Sequence, residues 1–118
     1  MPSAVMSKNG TKKGAIKLKR HYSEFVRHCL RKYVETLEIG TAPKFDTEIE
    51  KTNWLSCHNV VSKLSAGDQQ LVQKLYGPGD TLPDKIYRIS QARRMSQAPL
   101  WKLVDEVEYN VAKQRGMI

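Results

Sequence analysis

Arg93, Arg94, Ser96, Gln97, Ala98, Trp101 and Lys102 fall in one short stretch near the end of the chain. Their chemistry is that of a surface that reads duplex DNA. A Gln side chain can pair bidentately with adenine, and an Ala methyl can meet the thymine methyl. Arg and Lys reach phosphate or guanine. A serine hydroxyl and the free N–H groups of a helix start can hold a phosphate. Trp101 has two readings, a groove residue or a core residue, since Trp is usually largely buried.

Catalytic chemistry finds no comparable set. The histidines are His21, His28 and His58, and no nucleophile–base–acid arrangement accompanies them. There is no phosphate-binding or dinucleotide glycine motif. His28-Cys29 and Cys57-His58 offer the residue types of a Cys2His2 zinc site. Adjacent helical residues diverge by about 100°, and both cysteines fit apolar stripes, so the expectation is no metal, no cofactor and no enzyme.

The stretch must be positioned by two helices. Leu82, Ile86, Ile89 and Ala92 share one face of the first. Leu100, Leu103, Val104, Val107 and Val111 share one face of the second. Ser96 is the expected N-cap of the second, with Pro99 in its first turn. Arg93, Arg94 and Met95 fill the junction, giving a helix-turn-helix outline whose last helix would enter the major groove. The later acids Asp105, Glu106 and Glu108 would point away from DNA, as solvated charges or as contacts for a protein partner.

Upstream, the spacing predicts a helix over 16–37 with Tyr22, Phe25, Val26, Cys29, Leu30, Tyr33, Val34 and Leu37 on its apolar face. Lys17, Arg20, Arg27, Arg31 and Lys32 lie on the other face and are candidates for contact with the DNA backbone. Residues 1–15 read as a flexible basic arm. Gly40 and Pro43 separate this helix from one capped by Asp46 or Thr47 and running to Leu64, with Ile49, Cys57, Val60, Val61 and Leu64 as its buried stripe, widened by Trp54 and Leu55. Ser65 caps a short helix carrying Leu71, Val72, Leu75 and Tyr76. Gly77-Pro78-Gly79-Asp80 breaks it, and Thr81 caps the next. No strand-like alternation appears. The expected fold is all-α, about five helices, with 16–64 as an N-terminal helical pair and 65–118 as the helix-turn-helix part.

The chain has 118 residues and a net charge of +8. Residues 1–34 hold nine Lys/Arg against one Glu, whereas 35–118 hold eleven of each sign. The excess therefore lies in the first third and favours a nucleic-acid partner. Two cysteines make no disulfide framework and suit a reducing compartment. No long apolar run is present, so no membrane partner is expected.

The segment LSAGDQQLVQKLYGPGDTLPDKIYRISQARRMSQAPLWKLVDEVEYNVAKQRG resembles region 4 of bacterial sigma-70-type factors. Leu71, Leu75 and Tyr76, then Leu82 and Ile86, then Ser96 are the matching pieces. The closing segment is similar to small phage regulators of late transcription of the RinA and ArpU type. Arg93-Arg94-Met95 stands where such modules usually carry a glycine-containing turn, and Ile86 follows Leu82 by four residues rather than three. The resemblance implies a phage- or prophage-encoded, sequence-specific DNA-binding transcription regulator in the cytoplasm of a bacterial host. It implies RNA polymerase as a further partner, with a homodimer among the open assembly states. A small DNA-packaging protein and a helical protein–protein adaptor remain as alternatives.

Overall fold

The structure is a computed structural model that describes residues 10–40 and 42–118, with side chains described from residue 21 onward. Among the described residues the fold is all-α: α1 (Gly10–Ile39), α2 (Glu48–Val61), α3 (Ala66–Tyr76), α4 (Leu82–Arg93) and α5 (Ala98–Gln114). α1 is the central element, in contact with α2, α3 and α5, while α4 packs on α3 and α5. No described helix is long and apolar enough to cross a membrane.

Each helix begins and ends for a local reason. α1 stops at Gly40, which takes φ +74, a conformation only glycine adopts without strain. Thr47 caps α2 by accepting from the Glu50 N–H at 3.1 Å. Ser65 does the same for α3 through Asp68 (3.2 Å), and Thr81 for α4 through Asp84 (3.4 Å). In all three the hydroxyl satisfies the amide three residues on, one of the first-turn donors that lack an intrahelical acceptor.

α1 starts at Gly10, not at residue 16, so residues 10–15 are helical and only 1–9 of the expected arm lie outside the described residues. α2 ends at Val61, short of Leu64, which sits half-buried in the connection.

The core draws on every helix. Tyr22, Val26, Cys29, Leu30, Tyr33 and Val34 line the inner face of α1. Cys57, Val60 and Val61 face them from α2; Val72, Leu75 and Tyr76 from α3; Leu82 and Ile86 from α4; Leu100, Val104, Val107, Val111 and Ala112 from α5. Five residues of the expected stripes lie outside this core, among them Leu55, exposed on the outer side of α2. Ile49 is 66% exposed in the first turn of α2, where no other helix reaches it. Phe25, at the edge of the α1 stripe, is half covered, with the Arg115 guanidinium 5.9 Å above its ring. Leu37 lies one turn past Val34, beyond the packed part of α1. Ala92 is exposed in the last turn of α4. Periodicity names a face; it does not say where the partner helix ends. Cys29 and Cys57 are both buried free thiols, and burial pushes both thiols up from their ordinary range, Cys57 the further.

Glu108 corrects a further expectation. It is 3% exposed rather than solvated. Its Oε2 accepts from Arg27 Nε at 2.7 Å and from the Tyr76 hydroxyl at 2.7 Å. One carboxylate thus ties α1, α3 and α5 together. A carboxylate taken out of water is tolerated only when paired and hydrogen-bonded, which this arrangement achieves. The Tyr76 phenol is held well above its ordinary range, by burial first and then by the adjacent Glu108 charge.

Candidate nucleic-acid interface

α4 and α5 are joined by residues 94–97. The junction is shaped by backbone hydrogen bonds. The Met95 N–H donates to the Ser90 carbonyl at 3.0 Å, and the Arg94 N–H to the Gln91 carbonyl at 3.2 Å. This paired closure, with a left-handed residue between, is the Schellman arrangement. The left-handed residue is Arg94, at φ 52 and ψ 47, the one described non-glycine residue with positive φ. Met95 tucks back against the core, the apolar contact that usually accompanies this motif. Leu100 then anchors the start of α5 in the core at 1% exposure.

Around those two anchors most side chains are exposed. Arg93, Arg94, Ser96, Gln97, Ala98 and Lys102 are all exposed. Trp101 is half-buried, packed against the core along one side. Its indole N–H donates to Gln97 Oε1 at 3.2 Å, which holds the glutamine one turn back along α5. Six of the seven expected interface residues are therefore exposed near the α4–α5 junction, and the seventh, Trp101, is half-buried and bonded to Gln97.

The expected cap is overturned. α5 begins after Gln97, which makes no side-chain capping bond, and Ser96 lies outside the helix. The reason is in the sequence. The three hydroxyl caps of this protein all reach the amide three residues on, and for Ser96 that residue is Pro99, which has no N–H. The first turn of α5 is thus left without a side-chain acceptor.

A left-handed conformation costs an ordinary L-residue about 1–2 kcal/mol relative to glycine. Arg94→Gly is therefore expected to raise stability by about 0.5–1 kcal/mol, since glycine gives back part of the gain to its freer unfolded chain. The urea midpoint should rise with an unchanged slope; a fall would show that Arg94 makes stabilising contacts beyond its backbone.

The described basic side chains of α1 do not form one track. The Arg27 guanidinium is committed to Glu108 through its Nε. Arg31 is exposed beside Gly77 and Pro78 of the α3–α4 connection. Lys32 is exposed on the other side of α1, toward α2. The side chains of Lys17 and Arg20 lie outside the described residues. On α5, Lys102 is followed along the same outer surface by Asp105, Glu106 and Tyr109, and the next basic residue of that helix is Lys113 in its last turn.

A hollow of about 300 Å³ lies between α1, α2 and the segment joining them, with Trp54, Phe45 and Tyr33 among its walls. Trp54 is fixed by an indole N–H bond to Thr36 Oγ1 at 2.8 Å and by stacking on His58 at 4.8 Å. Cys29 serves this wall and the core; no cluster of three or more metal-ligating residues occurs among the described residues. No periodic signal in the sequence marks the hollow, because Phe45 stands in a connection and Asn53 reads as one more polar helix position.

No family model, no curated protein and no solved structure matches the chain.

Proposed function

We propose that α4, the 94–97 turn and α5 act as a helix-turn-helix and that the protein is a sequence-specific, double-stranded-DNA-binding transcription regulator of the phage late-regulator kind. In this reading the N-terminal end of α5 enters the major groove. The Gln97 amide, positioned by Trp101, pairs with a base edge, and Ala98 meets an apolar base surface. Arg93, Arg94 and Lys102 contact phosphate or guanine, and the uncapped first turn of α5 with the Ser96 hydroxyl receives a phosphate. The basic N-terminal third, including Lys17 and Arg20, adds affinity for the backbone. Asp105 and Glu106 lie farther along α5, away from the groove, where they suit a contact with RNA polymerase.

The observation that carries this reading is Arg94. The turn geometry suits glycine, yet the residue there is a fully charged, exposed arginine held in a left-handed conformation. Strain of this kind gathers where a side chain is needed for binding. The start of α5 beside it points the same way, because the positive end of a helix dipole favours anions.

Selection of bound duplexes from a random DNA library at physiological salt tests the proposal. An enriched motif of several base pairs is expected, with affinity that falls as salt rises. Binding without a motif, or no binding at all, would overturn the sequence-specific reading.

A further inference from the structure

We propose that Gln97 reads guanine rather than adenine, because Trp101 engages the oxygen of its carboxamide. The proposal rests on the DNA reading of the α4–α5 corner and specifies the base at one position of the bound sequence. A free glutamine pairs with adenine by two bonds. Its oxygen accepts from the N6 amine, and its amine donates to N7. That pairing needs the acceptor and the donor to face the base together.

Here the two groups do not meet a base on equal terms. The Trp101 indole N–H donates to Gln97 Oε1 at 3.2 Å. An indole nitrogen donates and does not accept, so the amide oxygen must be the atom that faces it. The usual ambiguity in the orientation of a carboxamide is thereby removed. The bond runs from residue 101 back to residue 97, one turn of α5, and Trp101 is itself held half-buried against the core. The oxygen is thus tied to a fixed partner, while the amine keeps both of its hydrogens. Donation to the oxygen also polarises the amide and strengthens those N–H donors.

The neighbouring side chains have the same character. Arg93, Arg94 and Lys102 are exposed, and each is a donor with no acceptor. Ser96 has the one other side-chain acceptor of the seven proposed contact residues, and its hydroxyl also donates. A surface rich in donors suits a base edge rich in acceptors. In the major groove guanine shows two acceptors, N7 and O6. Adenine sets an amine beside its one acceptor, cytosine shows an amine, and thymine sets a methyl beside its one acceptor. The Gln97 amine therefore donates to the guanine edge, whereas the N6 amine of adenine would meet it donor against donor.

The test is duplex selection with the full chain and its Gln97→Ala, Gln97→Glu and Trp101→Phe variants. The base pair that Gln97 reads is the position whose preference relaxes in Gln97→Ala. Guanine is expected there in the wild type, favoured over adenine by about tenfold in direct competition. Trp101→Phe removes the indole N–H and keeps a ring on the core. It should turn that position toward adenine, with a change of at least about tenfold in the guanine-to-adenine ratio. A merely structural role for Trp101 would weaken binding to all sequences and leave the ratio alone. Gln97 is exposed, so its variants read binding rather than folding. In Gln97→Glu the carboxylate only accepts, and preference should pass to cytosine. Adenine at the wild-type position would overturn the proposal and leave the DNA reading in place. So would an unchanged ratio in Trp101→Phe, a Gln97→Ala variant with no relaxed position, or a Gln97→Glu variant that still selects guanine. A wild-type protein that selects no motif would overturn the DNA reading and this proposal with it.

Discussion

Glu108→Ala is expected to destabilise the protein by about 3–4 kcal/mol, a large share of the stability of a domain this size. The substitution removes one carboxylate and strands two donors at once. The Tyr76 hydroxyl is left in a fully buried position with no acceptor, and Arg27 keeps a positive charge in a half-buried one. Arg27 retains some solvent exposure, which limits its share of the effect, and the Tyr76 hydroxyl carries the rest. Equilibrium urea unfolding measures the effect: the midpoint should fall steeply with the slope unchanged. A shift worth less than about 1 kcal/mol would mean that water replaces the carboxylate at both partners. Glu108→Gln should recover part of the stability, because an amide oxygen still accepts from one of the two donors.

The second large effect concerns DNA. Arg94→Glu combined with Lys102→Glu should lower affinity for the selected duplex by at least about 100-fold, with the far-ultraviolet circular dichroism unchanged. Both side chains are exposed, so reversal of their charge leaves the core intact. It replaces attraction with repulsion at both ends of the proposed binding surface. The slope of log affinity against log salt should also flatten, by about one unit for each phosphate that the variant no longer neutralises. Equal affinity in the variant would sink the assignment of this corner, whatever DNA the protein binds.

Much of the fold was legible because each boundary carries its own chemistry. Thr47, Ser65 and Thr81 each precede an acidic residue by three positions, and each caps its helix. Ser96 looks the same until Pro99 is read for what it lacks, a backbone donor. The apolar stripes marked the core faces of all five helices, apart from Ile49, Leu55, Phe25, Leu37 and Ala92, whose exposure depends on how far neighbouring helices extend. The early start of α1 was hidden by Gly10 and Gly14, both poor helix formers. Glu108 could have been found: it lies four residues after Val104 and four before Ala112, on a buried line of α5. Its partners could not, since Arg27 is 81 positions away. The corner residues were found as a group because they are nearly consecutive. The hollow was not, because it is assembled by packing between two helices and a loop.

The position of the Arg27–Glu108 ion pair also bears on the order in which the molecule assembles. Helices form from neighbouring residues within about a microsecond, but joining residues 81 apart closes a loop through most of the chain. That closure lowers the entropy of the intervening segment and is rewarded only once α2, α3 and α5 have already docked on α1. The Arg27–Glu108–Tyr76 network is therefore expected to form late, as a seal rather than as a nucleus. Interactions absent from the transition state act on the rate of leaving the native state and hardly on the rate of reaching it. Loss of the buried carboxylate is then expected to shorten the life of the folded chain more than it slows folding, a change that protease resistance would report at high protease concentration.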